Sequence, residues 1–235
     1  EHICLSAWES EPILEELRGR NILACLTRSS GLAVLCWAQL NKELGLPGPE
    51  VKTVLSLTGK LGLYKVCEKL GISSPPTQTF EEWKKKNNIV MPVVFKPEWE
   101  SIGKKGTVLV SNPTGIEKGF RLADQYLGHG SLIVQGFLEG KDLTLLGLCL
   151  ESEYYPYALF KEENKFVGSR VVNSGFQRID GAPSLDDMIQ IARILCLKMD
   201  IVFSPFNLNF RISHGNTPYL MECNFDFGGE GVLEH

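Results

Sequence analysis

The sequence predicts an α+β fold in which antiparallel sheets are flanked by helices, and three observations predict it. Apolar residues recur at helical spacing over residues 31–44, 61–70, 114–127 and 184–199. Strand-like segments with side chains alternating two by two succeed one another across short turns, most clearly at 131–151 and 207–224. With 235 residues and 43% hydrophobic content, the chain can bury a sizeable core as one large domain or two small ones.

Taken in order, residues 11–19 read as a short helix, 21–26 as a buried strand and 31–44 as a helix ending at Gly45. This α-β-α fragment, residues 1–48, is too small to close its own core and reads as part of an α/β unit or an edge packed on the next unit of the chain. Leu46-Pro47-Gly48-Pro49 marks a boundary, because its prolines and glycine cannot continue a helix. A second unit starts at Thr58-Gly59-Lys60, with a helix to Leu70 that stops at Gly71. Pro75 and Pro76 then hold the chain extended up to Thr77. Residues 80–87 are expected as a polar helix, its lysine run a solvated face, and 91–97 as a short apolar strand ending in Lys96-Pro97. Thr107–Val110 forms the next strand. After the helix at 114–127 come strands at 131–137, 143–151, 154–161 and 165–172. Residues 172–182 form a polar loop suited to a lid, and Ser184-x-x-Asp187 caps the next helix.

That helix feeds the stretch with the most chemistry. Asn207, Asn209 and Arg211 alternate with Leu208, Phe210 and Ile212, the period of a strand with one polar and one apolar face. Ser213-His214-Gly215-Asn216 makes the turn, and the returning strand to Asn224 carries Leu220, Glu222 and Asn224 on one side. Asn209, Glu222 and Asn224 then converge, an oxygen-rich patch of the kind hard cations prefer. An amphipathic hairpin facing solvent fits the same pattern without a metal. His214 reads as a solvated turn residue. Upstream, Lys96 is succeeded by the small, basic loop Ser101-Ile102-Gly103-Lys104-Lys105-Gly106. Glycines admit close backbone approach and lysines neutralise charge, so such a loop suits phosphates, though a plain surface hairpin has the same composition. Its spacing excludes a Walker-type loop.

Composition narrows the partners. A formal net charge of −4 gives no basic footprint for nucleic acid or polyanionic surfaces. No apolar run approaches the length of a membrane span, and the opening residues show neither a basic leader nor a secretory core, so cytoplasm is the expected location. The seven cysteines are scattered without a C-x-x-C pair and read as buried thiols of a reducing compartment. The chain has no initiator Met, and Leu233-Glu234-His235 resemble vector-derived residues, so 233–235 are set aside from the fold.

Four motifs together resemble the ATP-grasp superfamily, the carboxylate-amine ligases and the related carbamoyl-phosphate-synthase-like ATP-binding domains. GKLGLYKVCEKLGISSPPT resembles the helix leading into the nucleotide-binding unit, with Lys60 at a position that approaches ATP. VVFKPEWESIGKKG resembles the strand whose lysine, Lys96, meets phosphates, together with the phosphate loop that carries Ser101, Gly103 and Gly106. LIVQGFLEGKDLT resembles the segment between lobes, which implies adenine contacts at Gln135, Phe137 and Leu138 and a ribose contact at Asp142. NLNFR with YLMECN resembles the metal-binding strand pair, which implies Glu222, Asn224 and Asn209 as ligands of Mg²⁺ or Mn²⁺. The resemblance covers about residues 46–231. It implies an ATP-grasp domain over 49–232, with lobes at 49–136 and 137–232 whose antiparallel sheets clasp ATP, preceded by a partial pre-ATP-grasp α/β segment.

The implied activity is an ATP- and Mg-dependent ligase that activates a small-molecule carboxylate as an acyl phosphate for attack by an amine or other nucleophile. Five positions depart from the family pattern. Gln135 replaces an acid, Asp142 a glutamate, and Asn209 an Asp, Glu or Gln. Asn224-Phe225-Asp226 stands where Asn-Pro-Arg is common, leaving Arg211, Arg170 and Arg178 as sources of the missing catalytic charge. These departures keep a second expectation open, a nucleotide-binding or scaffolding module without turnover. Substrate identity and oligomeric state stay open, a homodimer included.

Overall fold

The computed structural model describes residues 4–29, 31–86, 90–99, 104–128 and 130–227. Two helices come first, α1 (Ser10–Leu17) and α2 (Leu32–Glu43). The strand expected at 21–26 between them does not form. Leu23 is 82% exposed, and no other described segment offers this stretch the hydrogen-bond ladder that a strand requires. The Trp37 indole, donating to the Cys25 carbonyl at 2.7 Å, ties the extended stretch to α2 instead. The expected α/β fragment is therefore two helices and an extended connection.

Helix α3 (Val51–Thr58) is not predicted by the sequence pattern. Its valines and threonines are weak helix formers, and burial of Val54 and Leu57 decides the matter. Helix α4 (Lys60–Leu70) ends, as expected, at a left-handed Gly71. Then come β1 (Thr77–Thr79), α5 (Phe80–Lys84), β2 (Val93–Pro97), β3 (Val108–Val110), α6 (Ile116–Asp124) and β4 (Leu132–Gly136). A reciprocal capping box starts α5: the Glu82 amide donates to the Thr79 hydroxyl and the Thr79 amide to the Glu82 carboxylate. The box expected at Ser184 is absent, since that hydroxyl is buried and turned toward the Met188 sulfur.

Strands β5 (Lys141–Leu150), β6 (Glu153–Val167) and β7 (Arg170–Ile179), helix α7 (Leu185–Lys198), and strands β8 (Phe203–Ile212) and β9 (Pro218–Asn224) complete the chain. Two expectations need correction here. The stretch 165–172 is not one strand but the tip of a hairpin, which turns at Gly168 with φ +63. The stretch 172–182 is for the most part not a lid loop. Most of it is β7, paired along its length with β6.

The described strands make one nine-stranded sheet in the order β1-β4-β2-β3-β7-β6-β5-β8-β9, every pairing antiparallel. It narrows where β3 meets β7, at the single register pair Val108–Arg170. On either side of that junction lies an apolar core. The smaller joins Phe80 and Trp83 to Phe95, both rings meeting Phe95 edge-on with centroids 5.4 and 5.3 Å away. The larger lies under β5, β8 and β9, covered by α2, α3, α4 and α7. Residues 51–72 thus precede the smaller unit in sequence yet bury their apolar side chains in the larger one. Among the described residues no helix is long and apolar enough to cross a membrane.

Gly147 marks a tight contact in this larger core. The β5–β6 register slips beside it, and the buried Tyr154 ring lies over its backbone. A Cβ at 147 would stand 2.2 Å from the ring's Cζ. We expect Gly147→Ala to lower the free energy of unfolding by about 1–3 kcal/mol through overpacking. Urea denaturation of the two proteins checks this, and an unchanged midpoint would place the ring elsewhere.

Candidate functional site

Strand β8 sends Leu208 and Phe210 into the larger core, so Asn209 and Arg211 face the other way. Strand β9 pairs with it so that Asn207 faces Asn224 and Asn209 faces Glu222. Beyond that point the register shifts: Phe210 faces Leu220, and Met221 is the extra residue of a β-bulge. The bulge separates Leu220, buried in the core, from Glu222, which lines a cavity. The expectation that Leu220 shares a side with Glu222 is thereby corrected.

The cavity, of about 600 Å³, lies between the two cores, with walls from β2 to β9. At one end Glu222 meets two lysines from remote parts of the chain. Lys60, at the first position of α4, is 3.5 Å from Glu222 Oε1, and Lys96, near the end of β2, is 3.8 Å from the same oxygen. Burial pushes the Glu222 carboxyl up, but Lys60, Lys96 and Lys104 outweigh it and hold the group below the usual carboxylate range. Burial lowers Lys96 to about 7; Glu222 opposes this, and Lys60, Lys104 and Arg211 add to it.

A second charged cluster fills the middle. Asp142 accepts from Arg211 through Nε and Nη2, one edge of the guanidinium, from Asn164, and from Lys104 at 3.3 Å. Arg211 also donates to the Leu138 carbonyl at 2.7 Å. Lys104 reaches across to Glu162 at 2.9 Å. Burial lowers Lys104, yet Asp142 and Glu162 prevail and its pKa is raised. Glu162 accepts from Thr144 at 2.8 Å and from Asn209 at 3.0 Å. At the far wall Gln135 is buried and donates to the Thr77 hydroxyl at 2.9 Å.

The structure thus brings together Lys96, Gln135, Phe137, Leu138, Asp142, Asn209, Arg211 and Glu222, with Lys60 against Glu222. It does not gather all the residues expected there. Asn224 is outside the lining, two register pairs beyond Glu222 on β9. Arg170 is exposed at the β3–β7 junction, over the Tyr126 ring, and Arg178 is exposed on β7, so neither lines the cavity. Arg211 is present, but its guanidinium is committed to Asp142 and Leu138. Gly106 sits at φ +76 against Pro97 and Tyr126, beside the lining residue Thr107. Ser101 and Gly103 lie outside the described residues. His214 is exposed, as expected of a turn residue, 3.4 Å from Glu139.

Sequence reasoning missed Glu162, and placed Lys104 only as one basic loop residue. Glu162 sits within Lys-Glu-Glu-Asn-Lys, a run that reads as solvated surface; only the pairing of β6 with β5 and β7 shows which residue turns inward. Among the described residues no three His, Cys, Asp or Glu side chains form a metal cluster. All seven cysteines are free, and five of them are buried.

No family model matches the chain, and no curated protein matches it. Solved structures do. L-amino acid ligase from Bacillus licheniformis superposes with a TM-score of 0.68 at 17% identity, over 84% of this chain and 48% of that one. D-alanine–D-alanine ligase from Bacillus anthracis gives 0.67 at 17%, over 92% and 73%. Carboxyaminoimidazole ribonucleotide synthase from Aspergillus clavatus, complexed with ATP, gives 0.64 at 11%, over 83% and 51%. The chain spans about half the length of the first and third of these proteins, 48% and 51%. The ATP-grasp fold expected from the four motifs is the fold the chain has.

The lowered Lys96 sets a pH dependence. Above about pH 7 the folded protein has released a proton that an unfolded lysine, ordinarily near 10.5, still holds. The unfolded chain binds more protons there, so stability rises with pH. We expect wild type to gain stability relative to Lys96→Met between about pH 6.5 and about pH 8.5. Urea midpoints across that range test it, and a difference that shrinks or stays flat contradicts the burial of this amine.

Proposed function

We propose that this ATP-grasp domain binds ATP with a divalent cation. On this reading it activates a small-molecule carboxylate as an acyl phosphate for attack by an amine or other nucleophile. The observation that carries the reading is the meeting of Lys60, Lys96 and Glu222 at one end of the cavity. Three segments far apart in sequence gather two ammonium groups and one carboxylate there. In the interior clusters Lys60, Lys104 and Arg211 face three carboxylates, Asp142, Glu162 and Glu222, and Lys96 adds a fourth cation when protonated. A polyanionic ligand beside Lys96 favours its charged form and is favoured by it in turn.

Each part of a nucleotide has a chemical partner here. Gln135 has its amide nitrogen on Thr77, which leaves its oxygen to accept from the amino group of adenine. Phe137 and Leu138 offer backbone beside it. Asp142 is saturated by Arg211, Asn164 and Lys104, so a ribose hydroxyl displaces one donor. Lys104, which retains Glu162, is the donor able to give way. Lys60 and Lys96 take the phosphates. Both contact the same oxygen of Glu222, Oε1, and the amide nitrogen of Asn209 is held by Glu162. A carboxylate oxygen and an amide oxygen are therefore the free ends of this strand pair, a donor set that fits Mg²⁺ or Mn²⁺. The metal, when bound, neutralises phosphate charge.

In the reaction a carboxylate oxygen attacks the terminal phosphorus, the bond to the bridging oxygen breaks and ADP leaves. The nucleophile then adds to the acyl carbon, phosphate departs and the amine loses its proton to solvent. Lys60 and Lys96 hold the charge that moves during the first step. The ligases of like fold act as support for this chemistry, and the substrates remain those of a small-molecule class.

Truncating either end of the ion cluster removes charge-assisted contacts to phosphate or metal. We expect Lys96→Ala and Glu222→Ala each to weaken Mg-ATP binding roughly 10- to 100-fold. Isothermal titration measures it, and unchanged affinity in both variants would refute the site. Release of ADP across panels of carboxylates and amines tests turnover; tight binding without release on any panel favours a nucleotide-binding module.

A further inference from the structure

Glu162, like Asp142, is a fully satisfied charge in the cavity. Its Oε1 accepts from the Thr144 hydroxyl at 2.8 Å and the Asn209 amide nitrogen at 3.0 Å. Its Oε2 accepts from the Lys104 ammonium at 2.9 Å and the Asn173 amide nitrogen at 3.4 Å. Four donors fill the roughly four lone-pair sites that a carboxylate offers. A carboxylate so occupied has nothing left for a metal, and its effect must pass through the groups it holds.

One of those groups is ambiguous by nature. A carboxamide presents oxygen on one side and NH₂ on the other, and only oxygen binds a hard cation. At position 209 the choice is consequential, because that residue faces Glu222 across the strand pair. An acceptor on one flank removes the ambiguity: the NH₂ must turn to Glu162, and the oxygen is left on the other side. The same bond draws electron density toward the oxygen, as partners of metal ligands commonly do.

We infer that Glu162 is a positioning residue that fixes the Asn209 carboxamide with its oxygen presented beside Glu222, so that a neutral residue serves as cation ligand. The inference rests on the Mg-nucleotide reading of the cavity. Glu162 supplies the negative charge that residue 209 lacks, one hydrogen bond removed from the cation. Lys104 balances that charge from the other side.

The test uses the polarity of the pair. In Glu162→Gln, Lys104 keeps the new amide's oxygen, so an NH₂ faces Asn209 and drives its own NH₂ outward. The double variant Glu162→Gln with Asn209→Asp reverses donor and acceptor while keeping the hydrogen bond, and returns an oxygen to the cation side. Titration of each chain with the ATP analogue AMP-PNP, in Mg²⁺ and in EDTA, gives the ratio of the two dissociation constants. That ratio reports metal coupling without turnover. We expect Glu162→Gln to reduce it roughly 10- to 100-fold, with the affinity in EDTA little changed, and the double variant to restore it. An unreduced ratio in Glu162→Gln, or a double variant as weak as the single, overturns the role of Glu162. Should Glu162→Gln fail to fold, the double variant decides alone, and a ratio below wild type overturns it. Wild type that binds the analogue in neither buffer overturns the nucleotide reading itself.

Discussion

Two ammonium groups on one carboxylate oxygen are the constraint on which the rest of this structure depends. Lys60 and Lys96 would repel one another in a buried setting, and Lys96 is lowered to about 7 even with Glu222 present. Removing Glu222 would leave two desolvated cations without an anion, a far larger penalty than the loss of a surface pair. The start of α4, the end of β2 and the middle of β9 must therefore hold their places to within a side chain's reach. The bulge at Met221 belongs to that requirement. Without the extra residue, strict alternation would leave Leu220 and Glu222 on the same face, sending one the wrong way.

The cores supply the rigidity that the charges need. Strands β8 and β9 carry polar residues on the cavity face and Leu208, Phe210, Leu220 and Cys223 on the buried one, so the same backbone that presents Asn209 and Glu222 is anchored from behind. Phe95, wedged against Phe80 and Trp83, does the same for its neighbour Lys96 from the smaller core. Side chains on regular strands locked by packing keep their geometry better than side chains on loops. The seam between the cores, where β3 and β7 share one register pair, is the least reinforced part of the sheet and borders the cavity.

Legibility in the sequence tracks the strength of its periodicity. The hairpin of β8 and β9 and the helices α2, α4 and α7 are readable, because one face of each is consistently apolar. Strand β7 is not: Val-Val-Asn-Ser-Gly-Phe-Gln-Arg lies largely exposed, and its pairing with β6 rather than its own composition makes it a strand. Helix α3 is hidden by β-branched residues whose burial overrides propensity. In the site, Lys96, Gln135, Asp142, Asn209 and Glu222 sit at recognisable points of motifs. Glu162 does not, since its neighbour Glu163 carries the same chemistry and the run from Lys161 to Lys165 reads as solvated surface. A register slip between Glu163 and Asn164 further scrambles which residues of that run turn inward.

The positions that depart from the ligase pattern share a property no sequence comparison would reveal: each has acquired a partner. Gln135 gives its nitrogen to Thr77. Asp142 is clamped by Arg211, which explains why that arginine is not free to serve elsewhere. Asn209 leans on Glu162. Asp226, where an arginine is common, receives the Asn207 amide through both its backbone and side-chain oxygens. The partners are local ones: Gln135–Thr77 and Asn207–Asp226 stand apart from the central cluster, and the side-chain oxygens of Asn164 and Asn207 remain buried without a partner. Asn209 differs, because the charge it lacks is present one hydrogen bond away on Glu162, which Lys104 joins to Asp142. At that position polarity has been moved rather than lost.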